Sequence, residues 1–63
     1  MKIIKLTEVK KLTTLSSATI YRLISNGQFP RQIKLSERSS GWVLTEVLEW
    51  IDNKINQRDG GEV

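Results

Sequence analysis

The chain has 63 residues and a formal charge of +3, and it contains neither His nor Cys. A chain this short buries only about 60% of the surface it exposes when unfolded, so it is one domain at most, with a marginal core and no room for a scaffolded catalytic cleft. Without Cys there is no disulfide framework or thiolate metal site, and without His the commonest general base and metal ligand are missing.

No apolar run approaches the roughly 18 residues that span a bilayer. The opening MKIIKLTEVKK has no apolar stretch long enough for a signal peptide, so a soluble, cytoplasmic protein with no membrane partner is expected. The seven carboxylates are scattered, and neither a Gly-rich phosphate loop nor metal-ligand spacing is present. The expectation is a non-enzyme without metal or cofactor. Charge is unevenly spread. Residues 1–40 carry eight cations against Glu8 and Glu37, a net +6, whereas residues 41–63 carry Lys54 and Arg58 against five acids, a net −3. That asymmetry fits a nucleic-acid binder with an acidic support, although a lysine-rich surface kept for solubility has similar totals.

Met1–Lys5 reads as an extended lead-in, with Ile3 or Ile4 over the core. Thr7 is the expected N-cap of helix 1, which spans about Thr7–Leu12 with Glu8 at its positive end and Leu6, Val9 and Leu12 facing inward. Thr13-Thr14-Leu15 forms a turn. Ser16 then caps helix 2, and Leu15 and Ile20 have the spacing of a hydrophobic staple. Ile20, Leu23 and Ile24 share one face; Ser17, Ala18, Tyr21, Arg22 and Ser25 share the other. Gly27 ends the helix. After Phe29-Pro30, the alternation in Gln32–Leu35 predicts a half-buried strand. Ser36–Ser40 is a polar loop, and Gly41–Leu44 returns as a second strand with Trp42 and Leu44 inward. Thr45 caps helix 3, whose stripe is Leu44, Val47, Leu48, Ile51 and Ile55, bordered by Trp50.

The order helix, helix, hairpin, helix is mainly α with a small β wing (α+β). It predicts a winged helix-turn-helix domain over 1–56 and a disordered tail over 57–63. In such a domain the second helix enters a DNA major groove. Ser17, Ala18 and Thr19 are short enough for close approach. Ser16 or Ser17, with the free N–H groups of the first turn, can hold a phosphate. The Arg22 fork can engage guanine O6 and N7 together, and Tyr21 can reach a phosphate or a thymine methyl. The wing offers Arg31, Lys34, Arg38, Ser39 and Ser40 for phosphate or minor-groove contact. Plainer roles stand beside these: Ser16 as a cap, Tyr21 as core, Arg22 in a surface pair, the wing tip as a solvated loop. Lys10 and Lys11 either touch backbone or complement the helix dipole, and Trp42 and Trp50 read as core anchors.

The motifs Leu15-Ser16, Thr19-Ile20-Tyr21-Arg22, Gly27-Gln28-Phe29-Pro30, Lys34-Leu35, Gly41-Trp42 and Glu49-Trp50-Ile51, in that order, resemble the AlpA-like family of phage and prophage regulators. The resemblance covers about Leu6–Ile55. It implies a MerR-like winged helix-turn-helix that binds double-stranded DNA at promoters or attachment sites of an integrated element, with integrase or RNA polymerase as neighbouring partners. By position it carries the DNA face onto Ser16–Arg22 and the wing around Lys34 and Arg38. The chain departs from the family pattern at three places: Thr14 stands where glycine is usual in the turn, Ser17 where arginine often follows the first serine, and Val43 where arginine often follows the wing tryptophan. A β-branched residue tolerates positive φ poorly, so a wider turn is expected at Thr14.

Three functions compete at this stage: a transcription regulator controlling integrase or excisionase genes, an excisionase-type recombination factor, and a protein-interaction module that uses Trp50 and the acidic third helix without DNA. Nothing after helix 3 has heptad spacing, so a monomer in solution that pairs, if at all, on DNA is expected.

Overall fold

The computed structural model describes residues 1–61. Its elements are β1 (Ile3–Ile4), α1 (Leu6–Thr13), α2 (Ser17–Ser25), β2 (Ile33–Ser36), β3 (Ser39–Val43) and α3 (Leu44–Asn56). A π-helical turn over Gln57–Gly61 continues α3 through most of the stretch expected to be disordered; the last two residues of that stretch lie outside the described residues. The architecture is a winged helix-turn-helix: three helices and a small antiparallel sheet in the order β1-β3-β2. Ile3 pairs with Val43 and Ile4 with Trp42; on the other side of β3, Ile33 pairs with Gly41, Lys34 with Ser40 and Ser36 with Ser39. A register shift falls between Lys34 and Ser36, leaving Leu35 as the extra residue of a bulge.

The core takes one apolar side chain from almost every segment: Ile4, Val9, Ile20, Phe29, Trp42 and Val47. The amphipathic faces of α1 and α2 meet here as their periodicity requires, with Leu6, Leu12, Leu23 and Ile24 packed around the buried set. Two expected apolar surfaces are less covered. Every residue of β2 is exposed, because β2 is an edge strand and the helices pack on β3 instead. On α3, Val47 is buried and Leu44 and Ile51 are partly covered, while Leu48 and Ile55 stay about two-fifths exposed at the margin of the stripe.

Neither expected threonine cap forms, and neither helix start has a side-chain cap bond. β1 delivers the chain straight into α1, so the N-cap is Lys5, extended at φ −90° and ψ 169°, and Thr7 lies inside the helix. Likewise β3 runs directly into α3 with Val43 as N-cap and Thr45 already helical; the first N–H of the helix, on Leu44, donates to the Lys2 carbonyl at 2.8 Å. The lead-in thus satisfies one of the free N–H groups at the start of the helix, a different donor from those a Thr45 side chain would reach. The wing loop is also tighter than expected: only Glu37 and Arg38 turn, and Ser39 and Ser40 belong to β3.

The α1–α2 turn is not widened. Thr14 itself adopts the left-handed conformation, φ 61° and ψ 14°. Hydrogen bonds around it hold this backbone. Thr14 N–H donates to the Lys10 carbonyl at 2.8 Å, and the Thr13 hydroxyl donates to the Val9 carbonyl (2.8 Å) while accepting from Leu15 N–H (3.2 Å). A β-branched residue is strained there by about 1–2 kcal/mol. Thr14→Gly is therefore expected to stabilise the protein by about 1 kcal/mol after the extra unfolded-state entropy of glycine is counted. A thermal melt checks this: Tm should rise by roughly 4–8 °C, and a fall would show that the threonine side chain holds the turn.

At the other end of α2 the stop is as read. Gly27 sits at φ 72°, its N–H donates to the Ile24 carbonyl (3.0 Å), and Gln28 N–H donates to the Leu23 carbonyl (2.8 Å), the paired bonds of a Schellman closure.

Candidate nucleic-acid interface

α2 has one buried side and one free side. Ser16 is extended at φ −75° and ψ 160°; its hydroxyl accepts from Thr19 N–H at 3.2 Å and donates to Thr19 Oγ1 at 3.0 Å. The cap read from the sequence is present and occupies part of the bonding capacity of Ser16. Ile20 is fully buried, and helical geometry turns the intervening positions outward. Ala18 and Arg22 are exposed; Ser17 and Thr19 are half-buried. Tyr21 divides its ring between solvent and the wing: it is 42% exposed, and its centroid lies 6.2 Å from that of Trp42 at an interplanar angle of 57°. Beside the start of α2, Lys10, Lys11, Thr14 and Ser16 line a hollow. This adds two exposed cations whose position next to the second helix periodicity alone did not reveal.

The wing residues sort by the pleat. Residues opposite one another in an antiparallel pair share a face, and alternate residues along a strand share a face. Lys34 and its partner Ser40 therefore share the face of Trp42, the ring that meets Tyr21 of α2. On the other face, a Cβ at Gly41 would lie 2.5 Å from Ile3 Cγ2 and 3.2 Å from Leu35 Cδ1, so Ile3 and Leu35 mark that side. Ser39 alternates with Gly41 and falls there too. Arg38 occupies the turn at the tip. Arg31 precedes β2 and lines a shallow groove with Glu46, Glu49 and Trp50 of α3. The fold thus brings Lys34 and Ser40 to the face of Trp42, sets Ser39 on the opposite face, and leaves Arg31 in the groove between the close of α2 and α3.

None of the candidate side chains is buried. Among the described residues the ion pair found is Arg58–Asp59, at 2.6 Å on the π-helical turn. The hydrogen bonds between them hold the Asp59 carboxyl below its ordinary range and raise the Arg58 guanidinium. The cations of α1, α2 and the wing make no such ion pair among the described residues, so none of them is held in a fixed pair.

Behind this surface lies an arrangement that motif reading did not anticipate. The indole N–H of Trp42 donates to the Pro30 carbonyl (3.0 Å), and that of Trp50 donates to the Gln28 carbonyl (2.7 Å). Between these two bonds Phe29 is buried, with its ring edge-on to Trp50 at 4.8 Å. The tryptophans are core anchors, as their size implied, and they also grip the backbone that links α2 to the wing. The available signal was the Gly-x-Phe-Pro step together with two tryptophans, each of which needs a partner for its N–H when buried.

No helix among the described residues is long and apolar enough to cross a membrane. The chain is 37% identical over 60 residues to the uncharacterized protein ORF88 of Enterobacteria phage P4, an alignment covering 95% of this chain and 68% of that protein. The family profile described as prophage CP4-57 regulatory protein (AlpA) matches residues 2–55, a span that takes in both helices of the helix-turn-helix, the wing and nearly all of α3. This chain belongs to the AlpA family of phage regulatory proteins.

Proposed function

We propose that this protein is a sequence-specific DNA-binding transcription regulator acting on genes of a prophage or other integrated element, with integrase or excisionase expression as the controlled step. In this reading α2 enters the major groove and the wing lies on the backbone or in the adjacent minor groove. The observation that carries it is the shared side: the pleat sets Lys34 and Ser40 on the face of Trp42, against which Tyr21 of α2 packs, while Arg22 is exposed and free of any ion pair among the described residues. Ser17, Ala18 and Thr19 let the helix backbone approach, Arg22 reads a guanine, and Lys34 and Arg38 hold phosphates. The regulatory character of the family supports the level at which the protein acts.

Selection of bound sequences from a random duplex pool tests this, followed by footprinting on the integrase promoter and the attachment site of the host element. One enriched motif protected at the promoter is expected. Protection confined to the attachment site would make the protein an excisionase-type factor, and no enrichment would overturn DNA reading altogether. About four to six phosphate contacts give an expected log K against log salt slope of roughly −3 to −5. Lys34→Ala is expected to weaken selected and random duplexes alike and to reduce that slope by about 1, measured by fluorescence anisotropy across a salt series.

A further inference from the structure

We propose that Trp50 is a positioning residue for groove recognition: its indole N–H sets the direction of the wing relative to α2. The inference rests on the DNA-binding reading above. The link Gln28–Pro30 is held from three elements. α2 takes the Gln28 N–H through the Leu23 carbonyl, α3 takes the Gln28 carbonyl through Trp50, and the wing takes the Pro30 carbonyl through Trp42. Pro30 adds a fixed φ, and Phe29 is held by burial and by its edge-on contact with Trp50. The Gly-x-Phe-Pro step and the two tryptophans thereby act on DNA at one remove. They join the helix that enters the groove to the hairpin that flanks it.

Trp50 is the member whose N–H serves geometry more than stability. Its bond to Gln28 lies at the surface, so water can take over the carbonyl once the donor is lost. The ring has separate work, against Phe29 and beneath the Lys54 ammonium at 5.3 Å. A contact face split between two elements needs their relative orientation held to roughly 10–20°. The base of the wing stays anchored by the buried Trp42 and by the pairing of β3 with β1. Release of the Gln28 carbonyl frees the link on its α3 side, and the outer hairpin shifts relative to α2.

At 63 residues the full chain is accessible to chemical synthesis. The decisive variant replaces the Trp50 indole by benzothiophene, which keeps the ring shape and removes the N–H; Trp50→Phe is its genetic counterpart, and Ile51→Val is a control that trims the neighbouring core without touching the link. Two measurements are made. Residual dipolar couplings of the free protein compare the alignment of amides in Ser17–Ser25 with those in Ile33–Val43. Anisotropy titrations compare the selected duplex with a random one. The native chain should show one common alignment, and the benzothiophene variant two. Affinity for the selected duplex should fall about three- to tenfold, the worth of one hydrogen bond, and affinity for the random duplex by clearly less, because phosphate contacts without base reading do not need α2 and the wing held at one angle. A single alignment retained in the variant, or equal losses on both duplexes as in Ile51→Val, overturns the proposal. A native chain that selects no duplex removes the DNA reading alone. The alignment comparison is made without DNA and still sustains or overturns the coupling.

Discussion

Gly41→Val is expected to destabilise the protein by about 3 kcal/mol or more, and Gly41→Ala by about 1–3 kcal/mol, the range for inserting atoms into a filled core. The reason is space. Gly41 is buried at the centre of the sheet, and a Cβ there would meet Ile3 Cγ2 at 2.5 Å, the Ile4 carbonyl oxygen at 3.2 Å and Leu35 Cδ1 at 3.2 Å. The first neighbour is the end of a side chain and can move. The second is backbone, held by the pairing of Ile4 with Trp42, and it cannot yield without disturbing the strand that also supplies the Lys2 carbonyl to α3. Against a total stability of only about 5–15 kcal/mol, such losses are large; Tm should fall by roughly 4–8 °C per kcal/mol. Adding Ile3→Ala to Gly41→Ala should recover part of the loss, a coupling of about 0.5–3 kcal/mol in a double-mutant cycle. Additive effects in that cycle would mean that Ile3 is not what the new methyl meets.

Arg22→Ala is expected to cost about 1–3 kcal/mol of binding to the selected duplex and to relax preference at one base pair. The fold should hardly register the change, because Arg22 is exposed and makes no ion pair among the described residues; a stability change within about 0.5 kcal/mol is expected. Binding-site selection repeated with the variant gives the sharper readout, since loss of a bidentate base contact removes information at a defined position. Equal losses on selected and random duplexes would instead make Arg22 a phosphate contact and move sequence reading elsewhere on α2. The contrast with Lys34→Ala, where uniform weakening is expected, separates the two kinds of contact within one protein.

The parts of this protein legible in the chain are those that short-range chemistry decides. Helix 2 is the clearest case. Its serine cap, its staple spacing, its three-residue apolar face and its terminal glycine all lie between Leu15 and Gly27, and the structure shows Ser16 capping, Ile20 buried and Gly27 left-handed. Because one helix carries them, the outward positions of Ala18, Tyr21 and Arg22 follow from the same periodicity. The wing residues were legible as a group but not by face. Whether Ser39 or Ser40 joins Lys34 depends on strand register, and a slip of one residue exchanges the two sides.

What tertiary structure alone decided are the contacts made by residues distant in the chain. β1 is two residues long and has no signature of its own; it exists because Ile3 and Ile4 find Val43 and Trp42, about forty positions away. That pairing moved the start of α1 to Leu6, supplied the first N–H of α3 with a carbonyl, and made Gly41 indispensable by laying Ile3 across it. The two indole bonds to the link likewise span 12 and 22 positions. Local propensity sees caps, turns and faces within a few residues, because the hydrogen bonds and side-chain neighbours that produce them are that close. The angle between a wing and a helix is held by bonds whose ends meet only after the chain has folded.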